Sequence, residues 1–210
     1  MGISITTVII AISVFISYRA FNDPNLLHRL KHDPYREHHN KEYYRFITSG
    51  FVHGSWTHLI INMFVLYEFG SVVESLYNNI FGPIQGTIYY LLLYFGTLIV
   101  SDIPTYSKHK NNASYGSIGA SGAVSGILFT YVLFAPWSLL GLMFVIPVPA
   151  IIFAVLYLVY SSWAINNTRS RIDHSAHFMG ALAGMAITIL LFPQVIGIFF
   201  DGIRNIQLPW

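Results

Sequence analysis

Cysteine is absent from this 210-residue chain, which excludes disulfides, cysteine-ligated zinc and a thiol nucleophile. Charge is scarce. Only 10% of residues are Asp, Glu, Lys or Arg, against about 25% in an average soluble domain. So few charges cannot coat a water-facing globule of this size, and the natural solvent is lipid. Neither sign dominates, since the formal net charge is +2. No basic stripe with interleaved aromatics marks a nucleic-acid partner. Repeats, low-complexity tracts and linkers are missing as well, so residues 1–210 read as a single domain.

What the chain has instead is long apolar runs. A membrane helix needs about 20 apolar residues, and on that ruler spans fall at roughly 3–19, 57–77, 84–101, 118–135, 149–166 and 175–194. Lipid satisfies no backbone polar groups, so closed helices are required; a β-barrel would show short alternating segments. The expectation is an all-α, polytopic bundle of six transmembrane helices. No positive charge precedes the apolar stretch Ile3–Tyr18 and no clear cleavage site follows it, so it reads as the first span rather than a signal peptide. Pro147 and Pro149 interrupt the run from Leu139. Residues 136–148 are therefore assigned to a re-entrant or surface loop, with the fifth helix starting near Pro149. Residues 20–56 form a long first loop that mixes charged and aromatic residues and lies partly in the membrane interface. Residues 102–117 read as a polar loop.

Polar groups inside spans are costly and each asks for a reason. Four stand out. His58 and Asn62 are four residues apart in the second span, hence on one helix face, and both can donate hydrogen bonds while neutral. That suits stabilisation of a developing oxyanion; the plainer reading is glue between helices. Ser121 opens the fourth span within Gly119-Ala120-Ser121-Gly122, where free helix N–H groups can share oxyanion charge. A lone membrane serine more often bonds back to its own helix. His177 opens the sixth span. Gly180 and Gly184 follow it as a GxxxG face, with Gly122 and Gly126 as a matching small face on the fourth span.

Spans two, four and six run in the same direction, so topology alone brings these four groups to one depth. A serine hydroxyl is a weak nucleophile that needs an adjacent base, and histidine fits that task. Asp173 precedes His177 by four residues and falls in the loop, so a Ser121–His177 dyad without an orienting acid is expected. The motif is not G-x-S-x-G, because position 123 is Ala. H-E-x-x-H and Gly-x-Gly-Asp are absent too, which argues against zinc and aspartyl intramembrane enzymes. No metal or cofactor is expected.

These residues resemble the rhomboid intramembrane serine proteases, particularly bacterial members. The resemblance runs through Glu42-Tyr43-Tyr44-Arg45, His53-x4-His58-x3-Asn62, Gly70…Glu74, Gly119-Ala120-Ser121-Gly122 and Ala176-His177-x2-Gly180-x3-Gly184. It implies a rhomboid-like bundle with Ser121 as nucleophile and His177 as base. His58, Asn62 and the Ser121 backbone N–H would form the oxyanion hole. Implied substrates are single-span membrane proteins entering sideways from the bilayer of the cell membrane. Arg45 would tie down a half-submerged first loop, and His53 would serve structure. Two positions depart from the family pattern. Tyr44 replaces the Trp of the family's usual Trp-Arg, and Ser125 stands where a tyrosine commonly stacks on the histidine, leaving the support of His177 open. Two rivals remain. An inactive rhomboid-like client-binding protein would typically lack the serine or the histidine, and this chain has both. A transporter would carry polar groups across the whole thickness, whereas here Glu68 is the main group off the common depth.

Orientation sets two arguments against each other. The odd-numbered loops hold ten of the eleven Lys/Arg and the other side only Arg204, which by the positive-inside rule makes the odd loops cytoplasmic. The family topology puts them outside. Pairing of the first loop's bases with Asp23, Asp33, Glu37 and Glu42 weakens the charge signal, so the family topology is preferred. A reporter fused after Trp210 is expected to report a cytoplasmic end; an external signal reverses the assignment.

Overall fold

The computed structural model describes residues 4–142, 146–165 and 172–206; Arg169, Arg171 and Trp210 lie outside the described residues. Helix α1 (Ile5–Phe21) leads into three short helices of the first loop, α2 (Pro24–Leu30), α3 (Pro34–Asn40) and α4 (Arg45–Thr48). Helices α5 (Trp56–Val65) and α6 (Ser71–Phe81) join through a π-helical turn, Leu66–Gly70, into one 26-residue apolar rod. Then come α7 (Pro83–His109), α8 (Ser121–Phe134), strands β1 (Leu139–Leu142) and β2 (Ile146–Pro149), α9 (Ala150–Ala164), α10 (His174–Leu191) and α11 (Val195–Arg204). The result is an all-α polytopic bundle of six apolar helices. Three of them, Trp56–Phe81, Pro83–His109 and His174–Leu191, are long and apolar enough to cross a membrane unaided.

Local chemistry sets the boundaries. Pro24, Pro34 and Pro83 each stand in the first turn of a helix, where a missing N–H costs nothing. Asp23 accepts from the backbone N–H of Asn25 and Leu26, and Asp33 from that of Arg36, so both cap their helices. The N-terminus of α1 is capped from a distance. Glu74 on α6 accepts from Ser4 Oγ at 2.7 Å and from the N–H groups of Ile5 and Thr6 at 2.8 and 2.9 Å. A buried carboxylate there satisfies orphan donors and complements the helix dipole.

Three sequence-based boundaries need correction. The polar loop is shorter than 102–117: the non-helical stretch starts at Lys110, because α7 continues to His109 with Pro104 inside it. Its polar side chains Asp102 and Thr105 are buried, so an inward polar face rather than a break in the helix explains the fall in hydropathy. Residues 136–148 hold an antiparallel hairpin, with Leu139 opposite Pro149 and Leu142 opposite Ile146; α9 begins directly after Pro149. The sixth span ends at Leu191, and a short additional helix, α11, follows Pro193. Glu68 lies exposed within the π-helical turn.

The centre of the bundle is α8, with all but three of its fourteen residues buried. At 1.5 Å per residue it is about 21 Å long, shorter than the ~30 Å hydrocarbon core, so it must end inside the membrane. Irregular backbone at that depth is tolerated only where protein covers it. Helices α8 and α10 touch backbone to backbone. A Cβ added at Gly180 would meet the Gly122 carbonyl, and one at Gly184 the Gly126 carbonyl. The register advances four residues on both helices together, so they run parallel. From α7, Ser101 and Thr97 close over Gly122 and Gly126. Lower down, Tyr77, Thr130 and Thr188 share hydrogen bonds across three helices, with Thr188 also donating to the Gly184 carbonyl.

The first loop is built around Arg45, which is 1% exposed. Its Nε donates to Glu42 at 2.7 Å, its Nη2 lies 2.5 Å from the same carboxylate, and its Nη1 donates to the carbonyls of His28 and Lys31 at 2.9 and 3.0 Å. A guanidinium there ties the C-terminal end of α2 to α4, and it also stands over the Tyr44 ring at 5.4 Å. His32 anchors the other side of the loop. Its imidazole is buried, with Nδ1 2.7 Å from Glu37 and 4.0 Å from Asp102. Burial opposes the charged imidazole, but the Glu37 hydrogen bond and the neighbouring carboxylates outweigh it and raise the His32 pKa above 6.5.

Two predictions follow from this packing. Gly180→Ala sets a methyl against immovable backbone and should lower stability by about 1–3 kcal/mol, whereas Gly197→Ala, where nothing lies within 4 Å, should not; equal thermal denaturation midpoints for the two variants would contradict the contact. A raised folded-state pKa means that the His32 contribution is complete below the unfolded value and lost as pH rises through the folded one. Hydrogen exchange over residues 24–51, corrected for intrinsic rates, should therefore be slower at pH 6 than at pH 9. His32→Asn should abolish that difference, and equal protection at both pH values in the native chain would refute it.

Candidate active site

The backbone entering α8 is held by three consecutive contacts from the first loop. His32 and Ser117 pair as an isolated antiparallel bridge, with N–H to O distances of 3.0 and 3.1 Å. Gly119 N–H donates to the Ser49 carbonyl at 2.9 Å, and Ala120 N–H to His53 Nε2 at 3.5 Å. Since Nε2 of His53 accepts, the ring proton sits on Nδ1 and is donated to Ser17 Oγ at 2.9 Å; Ser17 in turn donates to the Phe51 carbonyl. Burial, with a smaller push from His58, depresses the His53 pKa to about 3, so this ring is neutral. The expected structural role of His53 thus corresponds to bonds joining α1, the first loop and the residue before Ser121.

Gly119 has φ of +115°, a conformation that L side chains rarely adopt. A Cβ there would also lie 2.6 Å from His58 Cε1 and 2.8 Å from its Nε2. The His58 ring therefore packs directly on the turn that precedes Ser121. Its Nδ1 accepts from Gly54 N–H at 3.5 Å, which leaves the ring proton on Nε2, the nitrogen facing Gly119. Asn62 is buried one turn further along α5 and donates one amide hydrogen to the His58 carbonyl at 2.9 Å. The second amide hydrogen remains for another acceptor.

Ser121 is the first residue of α8. Ser55 caps α5 and Asp173 caps α10, but no side chain caps α8, and its first N–H groups are left for other partners. His177 stands on the first turn of α10, next to Ala176, whose carbonyl is 3.6 Å from the Cβ position of Gly122. The glycine after Ser121 thus touches the turn that carries His177. Among the described residues no hydrogen bond joins Ser121 Oγ to the imidazole. A small polar cavity of about 20 Å³ reaches Ser121, lined also by Ser49, Asp102, Ser117, Gly119 and Asp173; about 10–15 Å³ suffices for one water.

Asp173 does not orient His177. Its Oδ1 accepts from Ala176 N–H, and its Oδ2 from Thr105 Oγ1 at 2.7 Å and Tyr115 at 3.0 Å. What lies against the imidazole is the Tyr157 ring of α9, at a centroid distance of 6.2 Å and an interplanar angle of 12°. Sequence reasoning missed Tyr157, since one tyrosine in an apolar span carries no signal of its own. It also missed Asp102, whose spacing from Ser101 and Thr105 on one helix face was the available clue. Among the described residues no group of His, Asp and Glu is arranged to hold a metal ion.

Comparisons with known proteins agree with this architecture. The chain is 27% identical over 177 residues to "RHOMBOID-like protein 12, mitochondrial" of Arabidopsis thaliana, covering 80% of this chain and 52% of that protein. It is 31% identical over 170 residues to "Rhomboid-like protein 11, chloroplastic" of the same plant, covering 76% and 57%. Against "Putative rhomboid protease YdcA" of Bacillus subtilis (strain 168), identity is 32% over 92 residues, covering 44% and 41%. The chain spans about half the length of these curated relatives. The Rhomboid domain model matches residues 40–194, which takes in α4 through α10 and all four polar groups of the site; the chain belongs to the rhomboid family.

Proposed function

We propose that this chain is an intramembrane serine endopeptidase of the cell membrane, hydrolysing peptide bonds in or near transmembrane segments of single-span proteins. The observation that carries this reading is the backbone contact of Gly122 with the first turns of α10, between Ser121 on one side and His177 on the other. Family membership and a Bacillus relative named as a protease support it.

In this mechanism Ser121 Oγ attacks the scissile carbonyl carbon and His177 takes its proton. The mechanism requires the serine hydroxyl and the imidazole to come into hydrogen-bond range, and such bonds are often long before substrate arrives. The carbonyl oxygen becomes an oxyanion facing the uncapped N–H of Ser121, the Nε2–H of His58 and the second amide hydrogen of Asn62. His177 then gives its proton to the departing amine, and the C–N bond breaks to leave an acyl-Ser121 ester. A water from the polar cavity attacks that ester and passes a proton to His177; the acyl C–Oγ bond then breaks, His177 returns the proton to Ser121 Oγ, and the acid product leaves. Neutral donors suit this site, because a charged donor would bear the full cost of burial in a low dielectric.

The test is cleavage of a labelled single-span protein in liposomes by purified enzyme. Ser121→Ala and His177→Ala should each fall to background, and His58→Ala by about 10²–10³-fold in kcat, as for loss of one oxyanion donor. Undiminished cleavage by the Ser121 and His177 variants would refute the proposed dyad, whereas a native chain that cleaves no better than either variant would refute the protease reading and leave a client-binding rhomboid.

A further inference from the structure

Tyr157 is tied to both helices of the proposed dyad. Its ring lies parallel to the His177 imidazole on α10, and its hydroxyl is 2.5 Å from Ser125 Oγ on α8. Ser125 Oγ donates its own hydrogen to the Ser121 carbonyl at 2.8 Å, so in the shared bond Tyr157 must be the donor. A chain of two hydrogen bonds thus runs from the phenol of α9 to the carbonyl of Ser121 itself. Around the ring, Phe129 and Phe153 pack at 5.4 and 5.7 Å. At the other edge of the imidazole His174 stands edge-on at 6.2 Å.

Helix α9 presents mainly small residues to the bundle, with Ala150, Ala154, Ser161 and Ala164 as its buried set. Tyr157 is the large side chain that reaches from it to the site. The carboxylate of Asp173 is spent on Ala176, Thr105 and Tyr115, and the His174 ring meets the imidazole by an edge, so the parallel ring contact comes from Tyr157. An offset parallel ring pair favours one ring plane over others, and tethering that ring through Ser125 refers the plane to the helix that bears Ser121.

We infer that Tyr157, anchored by Ser125, is the positioning residue that sets the orientation of the His177 imidazole relative to Ser121. The inference rests on the serine-protease reading above. It differs from simple core filling in what it demands of the chemistry. Loss of the ring slows serine activation at unchanged substrate affinity, whereas loss of packing lowers stability and affinity together. Tyr157→Phe removes the phenol's bond and Ser125→Ala removes both bonds of the chain, and in either case the ring is no longer tied to the Ser121 carbonyl.

The experiment measures kcat, KM, thermal stability and the rate of Ser121 labelling by an alkyl fluorophosphonate, with Ser121→Ala in parallel. Tyr157→Leu should lower kcat and the labelling rate together by about 10–100-fold, the scale of a misplaced catalytic group, with KM little changed. Tyr157→Phe should cost about threefold to tenfold, the worth of one hydrogen bond, Ser125→Ala at least as much because it removes both bonds, and the double variant no more than Ser125→Ala alone. An active native enzyme with Tyr157→Leu labelled and turning over at its rate overturns this inference alone, as do fully additive losses in the double variant. If Tyr157→Leu does not fold, the Phe–Ala cycle still decides. A native enzyme no better than Ser121→Ala overturns the protease reading and this inference with it.

Discussion

Two glycine pairs, Gly122 with Gly180 and Gly126 with Gly184, hold α8 and α10 at backbone contact, and the geometry of the site depends on that closeness. In lipid the hydrophobic effect gives no reason for two apolar helices to meet, so association relies on packing and on hydrogen bonds between helices. A stripe without side chains lets the backbones approach, and Ser101 and Thr97 of α7 fill what remains. Because the contact starts one residue after Ser121, no lever arm separates the helix interface from the serine.

In such a core a buried polar group is costly without a partner. The first loop supplies several such partners. Arg45 gathers the carbonyls of α2, His32 pairs with Glu37, and His53 links Ser17 to Ala120. Through Ser117, Gly119 and Ala120 the same loop fixes the chain entering α8. The long interfacial loop anticipated from composition is therefore a scaffold for the site as well as a cover over it.

The comparisons and the structure support one another at different levels. Domain-scale similarity covers α4 to α10 and includes the site, while the plant and Bacillus relatives are longer than the matched region. Ser125 stands where the resemblance led one to look for an aromatic ring, and the ring beside His177 comes from α9. Shape can be kept at such a position while the helix that supplies it changes.

Composition and pattern alone determined the lipid environment and the six apolar helices, and they singled out four polar groups in spans two, four and six for a common site. Those properties are written in hydropathy, glycine spacing and chain order, which are local or counted along the chain. Only the tertiary structure decided that α7 runs on past Asp102, that the loop after α8 contains a hairpin, that Asn62 shares its amide with the His58 carbonyl and that Tyr157 faces His177. Each depends on which buried partner meets a polar or aromatic group. Partners distant in sequence leave no periodicity by which the chain could announce them.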